Sequence, residues 1–325
     1  IRDRCANAKQ LIKYYHSSLG SPPKRTMVAA IKRNYLRGFK GLTTERVNTH
    51  IGVEYATEAG HMRSFPKGVR STTSKTKRGR PKNQLDIERE AAAEEVIAMP
   101  EQVRGNKKTH LVFMTTALAD DWIASDQTGA FPRTSNKGNK YICVFYVFDP
   151  NFIKGVPIKS RHKEELLRAY QVIYKWCEAR GVKPQLHKMD NETSKEVEEF
   201  ITGQQKTRLQ YTAPDRHCHS AEKAVQTYKA TFKSILASLP KQFPIAYWCR
   251  LLVQTDLSVN IVRPNRQNPL LSAWAAMEGE LHFDATPLAP PGSEMLMHQK
   301  PGRRKTVGFN ALKAWYLGCL LYTSP

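Results

Sequence analysis

Acidic residues are scarce in this chain. Twenty-nine Asp and Glu stand against 51 Lys and Arg, a formal net charge of +22 over 325 residues. A surplus of that size, spread over several segments, favours a polyanionic partner, and nucleic acid is the commonest one. Long apolar runs are also missing. No stretch approaches the roughly 18 residues that a membrane-crossing helix needs, and no signal-peptide pattern opens the sequence. Cysteine is sparse and scattered: Cys5, Cys143, Cys177, Cys218, Cys249 and Cys319, with no Cys-x-x-Cys pair. That spacing predicts no disulfide framework and suits a reducing compartment. Protease and reverse-transcriptase motifs are absent. An initiator Met is absent too, and the start at Ile1 in mid-pattern predicts a piece of a longer polypeptide.

Residues 1–60 read as a small helical region. Leu11, Ile12, Tyr15 and Leu19 recur at helical spacing until Pro22-Pro23 stops them. Thr26 is the expected cap of a second helix through Met27, Ala30, Ile31 and Tyr35, and Thr43 or Thr44 of a third. His16, His50 and His61 could supply ligands to a metal, but a tetrahedral zinc site needs four and only Cys5 remains. Zinc is therefore not expected, and these histidines read as packed or exposed polar residues.

Residues 61–109 form an arm and a linker. From Arg63 to Lys82 there are eight basic residues and no acid. Ser, Thr and Gly fill the gaps, so no core is expected. Within it lies Lys77-Arg78-Gly79-Arg80-Pro81-Lys82, which resembles an AT-hook. Gly79 and Pro81 would keep the backbone thin, so that Arg78 and Arg80 reach a narrow minor groove. A solvated basic linker or a nuclear localisation signal has the same composition. Residues 85–102 reverse the sign with Asp86, Glu88, Glu90, Glu94, Glu95 and Glu101. They read as a solvated surface helix ending at Pro100.

Residues 110–263 carry the expected α/β core. Leu111–Met114 reads as a peripheral strand, then Trp122–Asp126, Lys140–Phe148 and Phe152–Ile158 as three core strands. The second of these is apolar on both faces, as a central strand requires. A helix over His162–Arg180 follows, then a strand Gln185–Met189, a short helix Ser194–Ile201 and a strand Arg208–Tyr211. A long helix carries Val225, Tyr228, Phe232, Ile235 and Leu239 at steps of three or four. Glu222 lies three residues before Val225, which predicts an inward-facing carboxylate on that stripe. A further helix is expected over Phe243–Val262. Residues 264–325 read as a small β-rich module. It has a helical turn at Ser272–Gly279 and strands at Glu294–His298 and Ala314–Leu317 around the basic turn Lys300–Lys305.

Three carboxylates stand out on this frame. Asp126 closes a strand, Asp190 follows the tip of a later one, and Glu222 opens a helix, at intervals of 64 and 32 residues. If they converge, they form a hard oxygen site for Mg²⁺ or Mn²⁺ that serves phosphoryl transfer. Each has a bland alternative. Asp126 could be a turn residue before Gln127-Thr128-Gly129, Asp190 an N-cap, and Glu222 a solvated helix residue. His217, Cys218 and His219 lack a fourth partner and read as loop residues. Arg216 and Lys223 are candidate phosphate contacts on charge alone.

The words Asp126-Gln127-Thr128-Gly129-Ala130-Phe131-Pro132, Met189-Asp190-Asn191-Glu192 and Ala221-Glu222-Lys223-Ala224-Val225-Gln226-Thr227-Tyr228-Lys229 occur in that order. Taken together, from about His16 to Gly318, they resemble the integrase region of a copia-type LTR retrotransposon polyprotein. No single word identifies that family; their order carries the resemblance. It implies a ribonuclease H-like core with a five-stranded mixed sheet and flanking helices. It implies Asp126, Asp190 and Glu222 as the catalytic residues and the ligands of two Mg²⁺ or Mn²⁺ ions. The implied reaction is 3′-end processing followed by strand transfer of element cDNA into double-stranded host DNA. A homo-oligomer gripping two DNA ends in the nucleus, after a cytoplasmic particle stage, is implied as well. The interval before Glu222 is slightly shorter than the family's usual one, which a shorter loop would explain. The family's zinc-binding words are missing from the N-terminal region, and residues 319–325 depart from its pattern. Two other readings stay open: a decayed DNA-binding remnant of an integrase, and a ribonuclease H-type nuclease.

Overall fold

The computed structural model describes residues 7–62, 121–189, 194–211, 219–298, 302 and 309–318. The chain divides into two units, Ile1–Met62 with Asp120–Pro325, and Arg63–Ala119. Only the first falls within the described residues. The expected strand Leu111–Met114, the AT-hook-like arm and the acidic helix lie outside them.

Four short helices open the described chain: α1 (Ala8–Ser18), α2 (Lys24–Lys32), α3 (Thr44–His50) and α4 (Tyr55–His61). Asn7 caps α1 by accepting the Gln10 N–H at 3.0 Å. Thr43 caps α3 by accepting that of Arg46 at 3.3 Å. The expected cap at Thr26 is wrong: α2 begins at Lys24 with Pro23 at its N-cap. The fixed φ of proline suits a helix start, so the break at Pro22-Pro23 also begins the next helix.

Strands β1 (Trp122–Gln127), β2 (Tyr141–Val147) and β3 (Phe152–Ile158) are followed by α5 (Lys163–Glu178) and β4 (Leu186–Met189). Then come α6 (Lys195–Glu199), extended by a π-turn over Phe200–Gln204, and β5 (Arg208–Tyr211). The long helix is α7 (His219–Ala237). The single helix expected over Phe243–Val262 is divided into a 3₁₀ segment, Ile245–Leu251, and α8 (Leu252–Ile261). Helix α9 (Ala273–Glu278) precedes a hairpin of β6 (Glu294–His298) and β7 (Ala311–Trp315). Strand β7 starts three residues before the expected Ala314.

The five strands form one mixed sheet in the order β3-β2-β1-β4-β5. Strands β1, β2 and β3 are antiparallel neighbours, whereas β4 runs parallel to both β1 and β5. The fold is therefore α/β, with helices on both faces. Side chains alternate across a strand, and the two faces feed two apolar clusters. Ile123, Phe145 and Phe152 join α5 and the N-terminal helices through Ile173, Ile12 and Tyr15. Trp122, Ala124 and Val144 join α7 through Ala221, Ala224 and Val225. The N-terminal helices thus share a core with the sheet. Polar bonds add to this: Gln254 donates to the Ser18 carbonyl at 3.0 Å and Tyr35 to that of Pro269 at 2.6 Å. Gly60 lets α4 lie directly on α7, since a Cβ there would sit 2.0 Å from Ser234 Oγ and 2.5 Å from the Ala230 carbonyl oxygen.

Edge strand β3 is covered from the side by α8. Asn260 accepts the Ile153 N–H at 2.8 Å and donates to the Ile153 carbonyl at 2.7 Å. Asp256 accepts the Gly155 N–H at 3.1 Å, the Tyr228 hydroxyl at 2.7 Å and the Lys154 ammonium at 3.1 Å. Three backbone groups that an open edge would offer to another chain, the N–H and carbonyl of Ile153 and the N–H of Gly155, are thus satisfied from within.

Candidate active site

Asp126 lies inside β1, where it pairs with Val144 of β2. It is not a turn residue. The turn chemistry belongs to Thr128, whose N–H reaches the Ile142 carbonyl and whose hydroxyl accepts the Ile142 N–H, at 2.9 and 3.0 Å. Arg161 holds the Thr128 carbonyl at 2.9 Å. Phe131, at the end of the motif, packs on Trp248 with ring centroids 4.5 Å apart. The Asp126 carboxylate is half-buried and accepts the Gln127 N–H at 2.6 Å. Its parity with Trp122 and Ala124 places Asp126 on the face of the sheet that α7 covers.

Strand β4 runs beside β1 in parallel register, Trp122 with Leu186 and Ala124 with Lys188. It ends at Met189, the residue before Asp190. Asp190 itself lies outside the described residues, as do Arg216, His217, Cys218 and the arm residues Lys77, Arg78, Arg80 and Lys82. Lys188 lies on the α7 face, its ammonium 4.2 Å from the centre of the Trp122 ring.

Glu222 lies in the first turn of α7 but does not extend its buried stripe. The stripe runs through Ala221, Ala224, Val225 and Tyr228, all buried, and Glu222 is exposed beside it. Successive helix residues are about 100° apart, so a helix facing inward at Ala221 turns its neighbour to the rim. The inward-facing expectation is corrected: spacing from Val225 alone overlooked Ala221, a small residue that counts fully as core. At the rim Glu222 accepts a hydrogen bond from Gln226 at 3.3 Å and remains open to solvent. Lys223 is exposed next to it.

Among the described residues, no three His, Cys, Asp or Glu side chains gather into a metal-holding group. Those residues include Asp126 and Glu222 but not Asp190. Both described carboxylates supply hard oxygen, the chemistry that Mg²⁺ and Mn²⁺ select. In the N-terminal region His16 is buried, with its Nε2 2.8 Å from the Pro22 carbonyl. Burial lowers its pKa.

One polar cluster escaped sequence reasoning. Ser125, Tyr170, Tyr174 and His187 meet on the opposite face of the sheet, directly behind Asp126. Burial holds the His187 pKa down to about 3. The available signal was the pair Tyr170 and Tyr174, one turn apart on the buried side of α5.

No protein-family model matches the chain, and no curated protein matches it. Among the described residues no helix is long and apolar enough to cross a membrane.

Proposed function

We propose that this chain is a DNA-joining enzyme, a metal-dependent polynucleotidyl transferase like the integrases of copia-type retrotransposons, built on a ribonuclease H-like core. The observation that carries this reading is the placement of Asp126. It lies one residue before the end of the central strand of a sheet ordered 3-2-1-4-5, on the face crossed by the helix that bears Glu222. The parallel neighbour β4 ends one residue before Asp190. By sequence count, Asp126 is two residues beyond Ala124 and Asp190 two beyond its partner Lys188.

Asp126, Asp190 and Glu222 would hold Mg²⁺ or Mn²⁺. A bound divalent ion supplies Lewis-acid stabilisation of charge on the transferring phosphate and lowers the pKa of an attacking hydroxyl or water. The chain's own task is to present these carboxylates and hold the DNA. A DNA 3′-hydroxyl attacks a phosphorus of the target strand. The new P–O bond forms as the old P–O3′ bond breaks, and a 3′-hydroxyl leaves. The number of phosphodiester bonds is unchanged, so no external energy source is required. Lys223 beside Glu222, the arm residues Lys77, Arg78, Arg80 and Lys82, and Arg216 are the proposed phosphate contacts. The net charge of +22 supports double-stranded DNA as the partner. Two joined ends call for a homo-oligomer, acting in the nucleus.

The test is a joining assay on short duplex ends with Mn²⁺, comparing the parent with Glu222→Gln. Joined product from the parent alone supports the reading. Nicking without joining indicates a nuclease. Salt-sensitive DNA binding with no product from either protein indicates a decayed remnant.

A further inference from the structure

Behind Asp126, four buried polar side chains form a continuous run of hydrogen bonds. Ser125 Oγ lies 2.8 Å from the Tyr170 hydroxyl and 2.9 Å from His187 Nε2. His187 Nδ1 lies 3.0 Å from the Tyr174 hydroxyl. His187 is fully buried, and the other three are at most 6% exposed. Phe145 packs edge-on against Tyr170 and Phe200 against Tyr174. In such a setting an apolar set of similar size would fill the space without any hydrogen bonds to satisfy. A buried polar network specifies one arrangement, and it is costly unless every member is paired. A neutral imidazole suits this place because it donates from one ring nitrogen and accepts at the other. The run can then be ordered from Tyr174 through His187 to Ser125 and Tyr170, or the reverse.

What the network joins gives it a role. Ser125 belongs to β1 and precedes Asp126. His187 belongs to β4 and lies three residues before Asp190. Both tyrosines belong to α5. The paired residues of β1 and β4 end at Ala124 and Lys188. The Ser125–His187 bond is therefore a side-chain tie between the two strands near the end of their ladder. We infer that Ser125, His187, Tyr170 and Tyr174 are positioning residues. They fix the end of β1 against β4, and both against α5, so that Asp126 keeps a set spacing from the end of β4 at Met189. This inference rests on the proposed metal-dependent function for its purpose, though not for its geometry.

The experiment uses the full chain with Ser125→Ala and Tyr170→Phe, each of which deletes one oxygen, and Ser125→Thr, which restores the hydroxyl. Deuterium uptake is read in peptides covering 122–128 and, for comparison, 141–158. The Mn²⁺ midpoint and the rate at saturating Mn²⁺ are read in the joining assay. The deletions are expected to speed exchange at Ser125–Gln127 more than in β2 and β3. They should also raise the Mn²⁺ midpoint about tenfold, the usual cost of losing an outer support of a metal ligand, with the saturating rate close to the parent's. Ser125→Thr should return both readings toward the parent. Exchange that rises evenly across the sheet, or an unchanged Mn²⁺ midpoint in an active protein, would overturn the inference. If the parent joins no DNA, the functional reading fails by itself and exchange decides alone. Loosening confined to 125–127 keeps the positioning role, and even loosening ends it.

Discussion

Replacing Asn260 with Leu should destabilise the protein far more than an ordinary helix substitution. Asn260 is fully buried and makes three hydrogen bonds at 2.7–2.8 Å, to the Ile153 N–H, the Ile153 carbonyl and the Asp256 carbonyl. Leu keeps the branched shape, with somewhat more bulk, but offers neither donor nor acceptor. Ile153 is itself fully buried on edge strand β3, so water cannot easily replace the lost partners. Each orphaned backbone group costs about 1–3 kcal/mol, which gives about 2–6 kcal/mol for the pair. For a domain of this size, about 2–4 °C of Tm accompanies each kcal/mol, so a drop of about 4–24 °C is expected. Val253→Ala, on the exposed side of the same helix, serves as the control, with a loss within about 0.5 kcal/mol. Urea denaturation and amide exchange at Ile153 and Gly155 would read the effect. A loss for Asn260→Leu no larger than the control's, with exchange at Ile153 unchanged, would refute the edge-covering role of α8.

Three further outcomes follow from the geometry. Gly60→Ala should cost about 1–3 kcal/mol by forcing α4 off α7. Gly52→Ala, where nothing lies within 4 Å of the added carbon, should cost much less by the same thermal melt. His187, with its pKa lowered by burial from 6.5 to about 3, stays neutral in the folded state while the unfolded chain takes up a proton. Its stabilising contribution is therefore complete above about pH 6.5 and is lost as the pH falls toward 3. The parent should lose about 2 kcal/mol more than His187→Gln between pH 7 and pH 5 in urea titrations. Substituting Lys77, Arg78, Arg80 and Lys82 together by Ala should flatten the log–log salt dependence of duplex binding by about 3–4 if all four meet phosphates. An unchanged slope would remove the arm from the DNA interface.

How much was legible depended on whether burial follows chain-local spacing. Strand β3 is bounded as the sequence reads it, because Phe152–Ile158 follows turn residues and carries the β-branched Ile153, Val156 and Ile158. The run Tyr141–Val147 is apolar on both faces and buried on both. Helix α4 went unread because none of its residues is buried enough to leave a periodic signal, and its close contact with α7 depends on a glycine. Helix α8 concealed its role for the opposite reason. Gln254, Thr255, Asp256, Ser258 and Asn260 are polar by sequence, yet all are buried. Their partners lie on β3 and α1, about 100 and 240 residues away in the chain. At the candidate site, the placement of Asp126 near the end of β1 and the end of β4 at Met189 were legible. The exposure of Glu222 was not, since alanines set the face of α7. The Ser125–His187 network needs two parallel strands and a helix to assemble, and no local pattern encodes that meeting.

The most direct test of the central claim is the joining assay run on Asp126→Asn, Asp190→Asn and Glu222→Gln, singly and in pairs, at saturating Mn²⁺. If the three carboxylates serve one metal-dependent site, each single substitution should abolish joining, and no pair should fall further, because members of one catalytic unit are not additive. Circular dichroism should show all variants folded. Parent-level joining by Asp126→Asn would contradict the account at its root.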